Sequence, residues 1–355
     1  MHSTAMSNVI KRGCPTESRI YTVTTTLKDV AREARVSMAS VSRALNGTGV
    51  VRDEIRARVL EVAARLNYVP NIGAQSLMTR RTRMIGVLLP RLHGEFFSEL
   101  IRGIDAAARA RHLHLLISTA HDDVAETGEA LRAMIGRVDG LLALLPHIDG
   151  RFMQATVRSA LPVVLLSTAD VEHAYAAVYA DNYGGAYAMV KHLASIGHRR
   201  IAHIAGPIEN MDAQDRLRGY RDAIAREVQG ADEWIIQGDF NEESGYAAAK
   251  EILAAANKPQ AIFAANDVMA IGCMSALQEA GVRVPQDIAV AGFDDIPTAR
   301  YVRPALTTVC VKIADLGGRA LDRVAQAVDT PTALALTTET VPAEVVIRGS
   351  CGARI

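Results

Sequence analysis

Apolar residues return every three or four positions from residue 27 to residue 66. Leu27, Val30, Ala31 and Ala34 mark a first amphipathic helix, Val41 and Leu45 a second, and Ile55, Val59, Val62, Ala63 and Leu66 a third. Three short stripes of this kind make one small core. Only Arg35 and Val36 separate the first two helices, and Ser37 then offers its hydroxyl as an N-cap, so the pair reads as a helix-turn-helix.

From Met84 the pattern changes to apolar runs alternating with amphipathic stretches. Strands are expected at Met84–Leu89, His114–Thr119, Gly140–Leu145 and Val163–Leu166, with helices at Phe97–Arg109 and Glu126–Ile135 between them. A second half repeats the rhythm. It opens with strand Ala177–Ala180 and continues through helix Gly184–Ile196, strand Ile201–Ala205, helix Asp215–Arg226 and strand Trp234–Gln237. Helix Glu242–Ala255, strand Ala261–Ala264, helix Val268–Ala280 and strand Ile288–Phe293 complete it. Two open parallel sheets side by side present a cleft at the carboxyl ends of their strands, where small ligands bind.

With Val41 and Leu45 inward, helical spacing puts Met38, Ala39, Ser42 and Arg43 on the opposite face of the second helix. That face suits a DNA major groove: Arg43 can fork onto guanine, Met38 and Ala39 can lie against thymine methyls, and Ser40 and Ser42 can reach phosphates or base edges. Charge points the same way. Residues 27–83 hold eleven basic and five acidic side chains, so this segment is +6 within a chain whose net charge is zero, and the remainder from Met84 is −8. A polyanion meets the domain that carries the positive field, not the average over the chain.

These residues resemble a known family. The runs Thr26-Leu27-Lys28-Asp29-Val30-Ala31, Val36-Ser37-Met38-Ala39-Ser40-Val41-Ser42-Arg43-Ala44-Leu45-Asn46, Leu66-Asn67-Tyr68-Val69-Pro70-Asn71 and Ala74-Gln75-Ser76-Leu77 are similar to the lactose/galactose repressor family of bacterial transcription regulators. The resemblance implies an all-α helix-turn-helix DNA-binding domain at 26–70, a hinge helix and basic linker at 71–83, and an α/β effector core at 84–355 similar to periplasmic binding proteins. The core has two parallel-sheet subdomains, about 84–180 and 181–312, with crossovers near the C-terminus. It carries Ser37, Met38, Ala39, Ser40, Ser42, Arg43 and Asn46 as DNA-contacting positions. Two hinge helices, one per subunit, would pack in the minor groove, with Asn71 and Ala74 against DNA and Leu77 wedging a base step. There are departures. Arg35 stands at the turn where the family usually has glycine or asparagine, which implies mild strain, and Gly73 weakens the hinge helix.

In the core the resemblance rests on Gly197-His198-Arg199-Arg200-Ile201, Ala205-Gly206-Pro207, Ala265-Asn266-Asp267, Val284-Pro285, Gly292-Phe293-Asp294-Asp295 and Pro304-Ala305-Leu306-Thr307-Thr308. It carries over effector contacts to Phe97, Ser167, Arg216, Phe240, Asn266 and Asp294. Arg216 would fork onto ligand hydroxyls or a carboxylate, or else pair with Asp212 or Asp215; Asp294 would accept from a vicinal diol, or else cap a turn. Ser167 stands where sugar-binding members often place an aspartate, so a less acidic cleft, and with it a sugar acid or phosphorylated ligand, is expected beside the plain sugar.

The sequence therefore predicts a homodimer on a pseudo-palindromic operator, controlled by a sugar or sugar derivative between the core halves, with release of DNA on binding. The alternatives are a nucleobase-like or phosphorylated corepressor and, more distantly, an α/β sugar-modifying enzyme. No GxGxxG, GxxxxGK[ST] or GxSxG motif follows a strand, which argues against an enzyme and against a cofactor. Four scattered cysteines, Cys14, Cys273, Cys310 and Cys351, read as free thiols, and His112 and His114 lack a third partner for a metal. Without a membrane-length apolar run or a signal peptide, a cytoplasmic, nucleoid-associated protein is expected. Residues 1–25 read as a disordered extension, with Met6 as an alternative start. The absence of a leucine heptad at the C-terminus predicts a dimer without a tetramer bundle.

Overall fold

The computed structural model describes residues 25–46, 49–69, 81–120, 123–146, 150–157, 161–166, 175–228, 230–330 and 336–353. The chain divides into two compact units, residues 1–80 and 81–355.

In the first unit, α1 (Leu27–Glu33), α2 (Met38–Asn46) and α3 (Asp53–Arg65) close around Val30, Val41 and Val59, each fully buried. Thr26 starts α1 with a capping box: its hydroxyl accepts from the Asp29 N–H and the Asp29 carboxylate accepts from the Thr26 N–H. Ser37 does the same work for α2, accepting from the Ser40 N–H at 3.1 Å. The turn between them is a Schellman motif. Val36 N–H reaches back to Ala31 O (3.0 Å) and Arg35 N–H to Arg32 O (3.3 Å), which requires Arg35 at φ 55°. The departure from glycine at Arg35 thus sits in a left-handed conformation whose cost is offset by two satisfied helix carbonyls. Asn67, at φ 48°, ends α3 with the same pair of bonds.

In the second unit, six parallel strands form one sheet and four another. The first is ordered β11-β5-β4-β3-β1-β2, with β1 Met84–Leu89, β2 His114–Thr119, β3 Gly140–Leu144, β4 Val163–Leu166, β5 Ala176–Ala180 and β11 Thr338–Val341. The second is ordered β7-β6-β8-β9, with β6 Ile201–Ala205, β7 Trp234–Gln237, β8 Ala261–Ala264 and β9 Ala289–Ala291. Helices α4 (Glu95–Ala110), α5 (Val124–Met134) and α6 (Gly150–Thr156) belong to the first half by sequence order, and α7 (Asn182–Ser195), α8 (Met211–Glu227), α9 (Glu242–Ala254) and α10 (Asp267–Glu279) to the second.

Strand Ala177–Ala180, which the strand rhythm counted with the second half although the 84–180 boundary included it in the first, pairs with β4 and β11 in the first sheet. Its residues Ala176, Ala177 and Val178 are fully buried, and sequence periodicity says nothing about which sheet receives a buried strand. Beyond residue 312 lie the crossovers near the C-terminus. After β10 (Thr308–Cys310) the chain returns to the first half as α11 (Ile313–Asp329) and β11, then crosses back so that β12 (Glu344–Val346) pairs antiparallel with β10. Three crossings, after β5, after β10 and after β11, therefore tie the two sheets together. Gly103 on α4 lets α11 approach to backbone contact: a Cβ there would lie 1.9 Å from Ala314 O.

Residues 81–83, expected in the linker, are held by the second unit. The Asp139 carboxylate accepts from the Thr82 N–H (2.7 Å), the Thr82 hydroxyl (2.9 Å) and the Arg83 N–H (2.7 Å), while Arg81 pairs with Asp329 at 2.5 Å. His112 lies in a turn at φ 55° and His114 on edge strand β2; among the described residues no cluster of three His, Cys, Asp or Glu could hold a metal. Cys273, Cys310 and Cys351 are free thiols, and Cys14 lies outside the described residues. No helix among the described residues is long and apolar enough to cross a membrane.

Candidate nucleic-acid interface and effector cavity

On α2 the burial of Val41 and the half-burial of Leu45 leave Ala39 and Arg43 exposed, with Met38 at 53%. Arg43 Nε binds back to Ala39 O at 3.2 Å, which aims the rest of the guanidinium along the exposed face. A Cβ on Gly49 would touch the Arg43 stem at 3.1 Å, and Gly49 lies at φ 72°, so a glycine there both turns the chain and leaves room for the arginine. Ser37 is exposed and caps the helix, and its hydroxyl lies 2.9 Å from that of half-buried Ser40. Ser42 is half-buried. The Asn46 side chain, Asn71, Ala74 and Leu77 lie outside the described residues, and so do the hinge contacts expected of them.

The second unit contains a cavity of about 530 Å³ between its two sheets, within the range of roughly 300–1,000 Å³ usual for small-molecule sites. Phe97, from the first turn of α4, lines one side beside Arg91, Glu95 and Leu144. Arg216, Phe240, Asn266 and Asp294 line the other with Asp212, Asp239 and Thr298. Ser167 lies outside the described residues.

Arg216 does not pair with Asp212 or Asp215. Its Nε donates to Asn182 Oδ1 at 2.8 Å, its Nη1 to Ala265 O at 2.6 Å, and its Nη2 lies 3.0 Å from Asp294 Oδ1, while Cζ stacks 3.9 Å over the Phe293 ring. The fork is thus anchored to protein on three sides. Asn182, which sequence reasoning missed, is the hub of this arrangement: its amide nitrogen donates to Asp212 Oδ1 at 2.8 Å, joining Arg216 to a second acid. It follows strand β5 at the start of α7, and that position at a strand end was the available signal.

Asp294 is 5% exposed and sits at φ 110°, a backbone region closed to most side chains, so the loop after β9 holds its carboxyl in the cavity wall under strain. Burial pushes its carboxyl up to about 6, against the pull of Arg216. Although Arg216 lies 3.0 Å from Asp294 Oδ1, no donor points along that oxygen's hydrogen-bonding direction; it has a charge partner and no aligned hydrogen bond. Asp267, also missed, is fully buried and raised well above the usual carboxylate range by burial and then by Asp294. It accepts from the Thr308 hydroxyl (2.5 Å) and the Ile296 N–H (2.9 Å), fixing the loop that carries Asp294.

Asn266 caps α10 through the Met269 N–H (2.9 Å) and donates to Phe240 O at 3.1 Å, so it positions Phe240. Phe240 itself lies at φ 71°, and its ring covers Gly206, where a Cβ would stand 2.5 Å from ring carbons. Phe97 meets Phe96 edge-on at 5.5 Å. Five carboxylates (Glu95, Asp212, Asp239, Glu242 and Asp294) and two guanidiniums (Arg91 and Arg216) line the cavity. The expectation of a less acidic cleft rests on Ser167, which lies outside the described residues; Asp212, Asp239 and Glu242, which line the cavity, were not identified from the sequence.

Residues 26–71 match the bacterial regulatory proteins of the lacI family, and residues 190–351 match the periplasmic binding protein-like domain. The chain is 35% identical over 310 residues to the ribose operon repressor of Haemophilus influenzae, covering 86% of this chain and 92% of that one. It is 34% identical over 322 residues to the HTH-type transcriptional repressor PurR of Edwardsiella ictaluri, covering 89% and 94%. Its structure is similar to that of the lac repressor dimer bound to operator and an anti-inducer, with a TM-score of 0.84 at 30% identity over 93% of this chain and 99% of the other.

Proposed function

Because the chain belongs to the lacI family of bacterial regulatory proteins, we propose that it is a homodimeric, cytoplasmic and nucleoid-associated transcription repressor, released from a pseudo-palindromic operator by a small neutral sugar. It is a regulator and not an enzyme. One α2 helix per subunit reads each half-site, with Arg43 on a guanine and Met38 and Ala39 on apolar base edges, while Ser37 and Ser40 keep the helix start in register. The hinge reading of Asn71, Ala74 and Leu77 goes with it, as does the contact from Asn46.

The observation that carries the choice of effector is a cavity lined by five carboxylates, Asp294 among them, with Phe97 on one side and Phe240 on the other. Sugar hydroxyls donate to the lining carboxylates, and the C–H face of a sugar covers an aromatic ring. The charge of the lining, with five acids against two bases and Arg216 already engaged, disfavours a phosphorylated ligand or a sugar acid. The name of the ribose operon repressor points to pentoses first. The likeness to PurR, together with Phe97 and Phe240, keeps a nucleobase as the second reading.

Closure of the cavity reorients the halves of the core and changes the free energy of operator binding; by linkage the operator changes sugar affinity by the same factor. A thermal-shift panel of pentoses, hexoses, sugar phosphates and nucleobases, followed by operator titration with each hit, tests the reading. A neutral sugar that raises the melting temperature and weakens operator binding supports it; stabilisation by phosphorylated ligands or nucleobases alone overturns it.

A further inference from the structure

The cavity is spanned by a contact between parts of the chain 203 residues apart. Glu95 is the first residue of α4, in the first half of the core, and Thr298 lies in the 3-10 helix Pro297–Arg300 that follows the Asp294 loop, in the second half. Glu95 Oε2 accepts from the Thr298 N–H at 2.9 Å, and Oε1 accepts from the Thr298 hydroxyl. Both residues line the cavity.

We infer that Glu95 and Thr298 form a clasp that holds the two halves of the core closed over the cavity and sets how often it opens. Three features support this. The carboxylate satisfies an N–H in the first turn of the 3-10 helix, one that has no partner within that helix, and it stands at the N-terminus of α4, so two sets of backbone dipoles favour its charge. Glu99, one turn further along α4 and on the same face, is held below the usual carboxylate range by Arg102, and Arg300 of the same 3-10 helix adds to the effect. Arg91 Nη1 reaches Asn241 Oδ1 at 3.5 Å from the same half as Glu95, a weaker tie between other elements. The three chain crossings let the halves rotate about them. The clasp is made by side chains, so rotation breaks it without disturbing either sheet.

The consequence is a bias in the free protein. A ligand that needs the closed form binds with an apparent affinity reduced by the fraction of molecules that are open, so the clasp sets sensitivity to the effector through the opening equilibrium. This rests on the cavity being the effector site, but the opening equilibrium can be measured with no ligand and no DNA, so failure of the sugar panel leaves it testable.

The test is pulsed electron spin resonance on the full chain, with spin-labelled unnatural residues at exposed Glu129 on α5 and Glu251 on α9, in dimers diluted with unlabelled chains. The unsubstituted protein should show one dominant short distance. Glu95→Ala should lower the closed-to-open ratio at least tenfold, with Thr298→Val, which keeps the backbone N–H, intermediate and Glu95→Gln milder than alanine. Circular dichroism and melting monitor the fold of each variant. An unchanged distance distribution in a folded Glu95→Ala, or in both milder variants should alanine not fold, overturns the clasp.

Discussion

Replacing Arg216 by methionine keeps the aliphatic stem against Phe293 but removes the guanidinium from a site where its side chain is only 6% exposed. Three protein groups lose a partner at once: Asn182 Oδ1, Ala265 O and the Asp294 carboxylate. Breaking a buried pair by deleting one member leaves an uncompensated charge and costs about 3–5 kcal/mol, a large share of the roughly 5–15 kcal/mol that a domain has in hand. The cost is therefore expected in folding as well as in ligand response. Because Asp294 sits near a second buried acid, Asp267, its escape is to take up a proton, so the penalty should be smaller at pH 5 than at pH 8. The double variant Arg216→Met/Asp294→Asn carries neither charge and should recover about 2 kcal/mol of the loss. Trp234 is the only tryptophan in the chain and lies on β7 of the second sheet, so its fluorescence during urea unfolding follows the half of the core that holds this pair. A loss below about 1 kcal/mol for Arg216→Met, or no recovery in the double variant, would show that solvent or a rearranged side chain takes the place of the guanidinium, and the buried-pair argument would be wrong.

Three further predictions concern other parts of the chain. Arg43→Ala should cost about 1–3 kcal/mol of operator affinity and relax base preference at one position in each half-site; selection from a random duplex pool that returns the same consensus removes Arg43 from base reading. Gly103→Ala must displace α11, since the new carbon would overlap Ala314 O, and should lower stability by about 1–3 kcal/mol, read as a fall in the melting temperature of the core; an unshifted midpoint contradicts the backbone packing of α4 and α11. His203 is fully buried, stacks 4.8 Å from Tyr220, and is lowered to about 4 by burial. Between pH 6.5 and 4 the unfolded chain therefore binds a proton that the folded one refuses, so the stability attached to neutral His203 is full above pH 6.5 and falls by about 3 kcal/mol as pH drops to 4. Asp294, raised to about 6, acts with the opposite sign, its contribution being lost as pH rises from about 4 to 6. The His203 term is isolated by comparing His203→Phe with the unsubstituted protein: the difference in unfolding free energy should shift in the variant's favour on acidification, and a constant difference contradicts it.

Much of this architecture could be read from local pattern. The stripes Val30–Ala31–Ala34, Val41–Leu45 and Val59–Val62–Ala63 mark three helices because side-chain direction repeats within one helical turn, and Ser37 caps α2 through a bond to a residue three positions away. The strand rhythm from Met84 to Phe293 followed from the same kind of short-range regularity. Arg35 was visible as an oddity, and its explanation, a Schellman turn, also lies within five residues. What the sequence left open are facts of distant partnership. That Ala176–Ala180 pairs between β4 and β11, that Arg216 is braced by Asn182 and Asp294 and not by the acids nearest to it in sequence, and that Glu95 meets Thr298 all depend on where separate segments come together. Backbone bonding fixes what a segment becomes within a few residues of itself. A buried charge takes whichever opposite charge the chain crossings bring within about 3 Å, and only the folded path selects it.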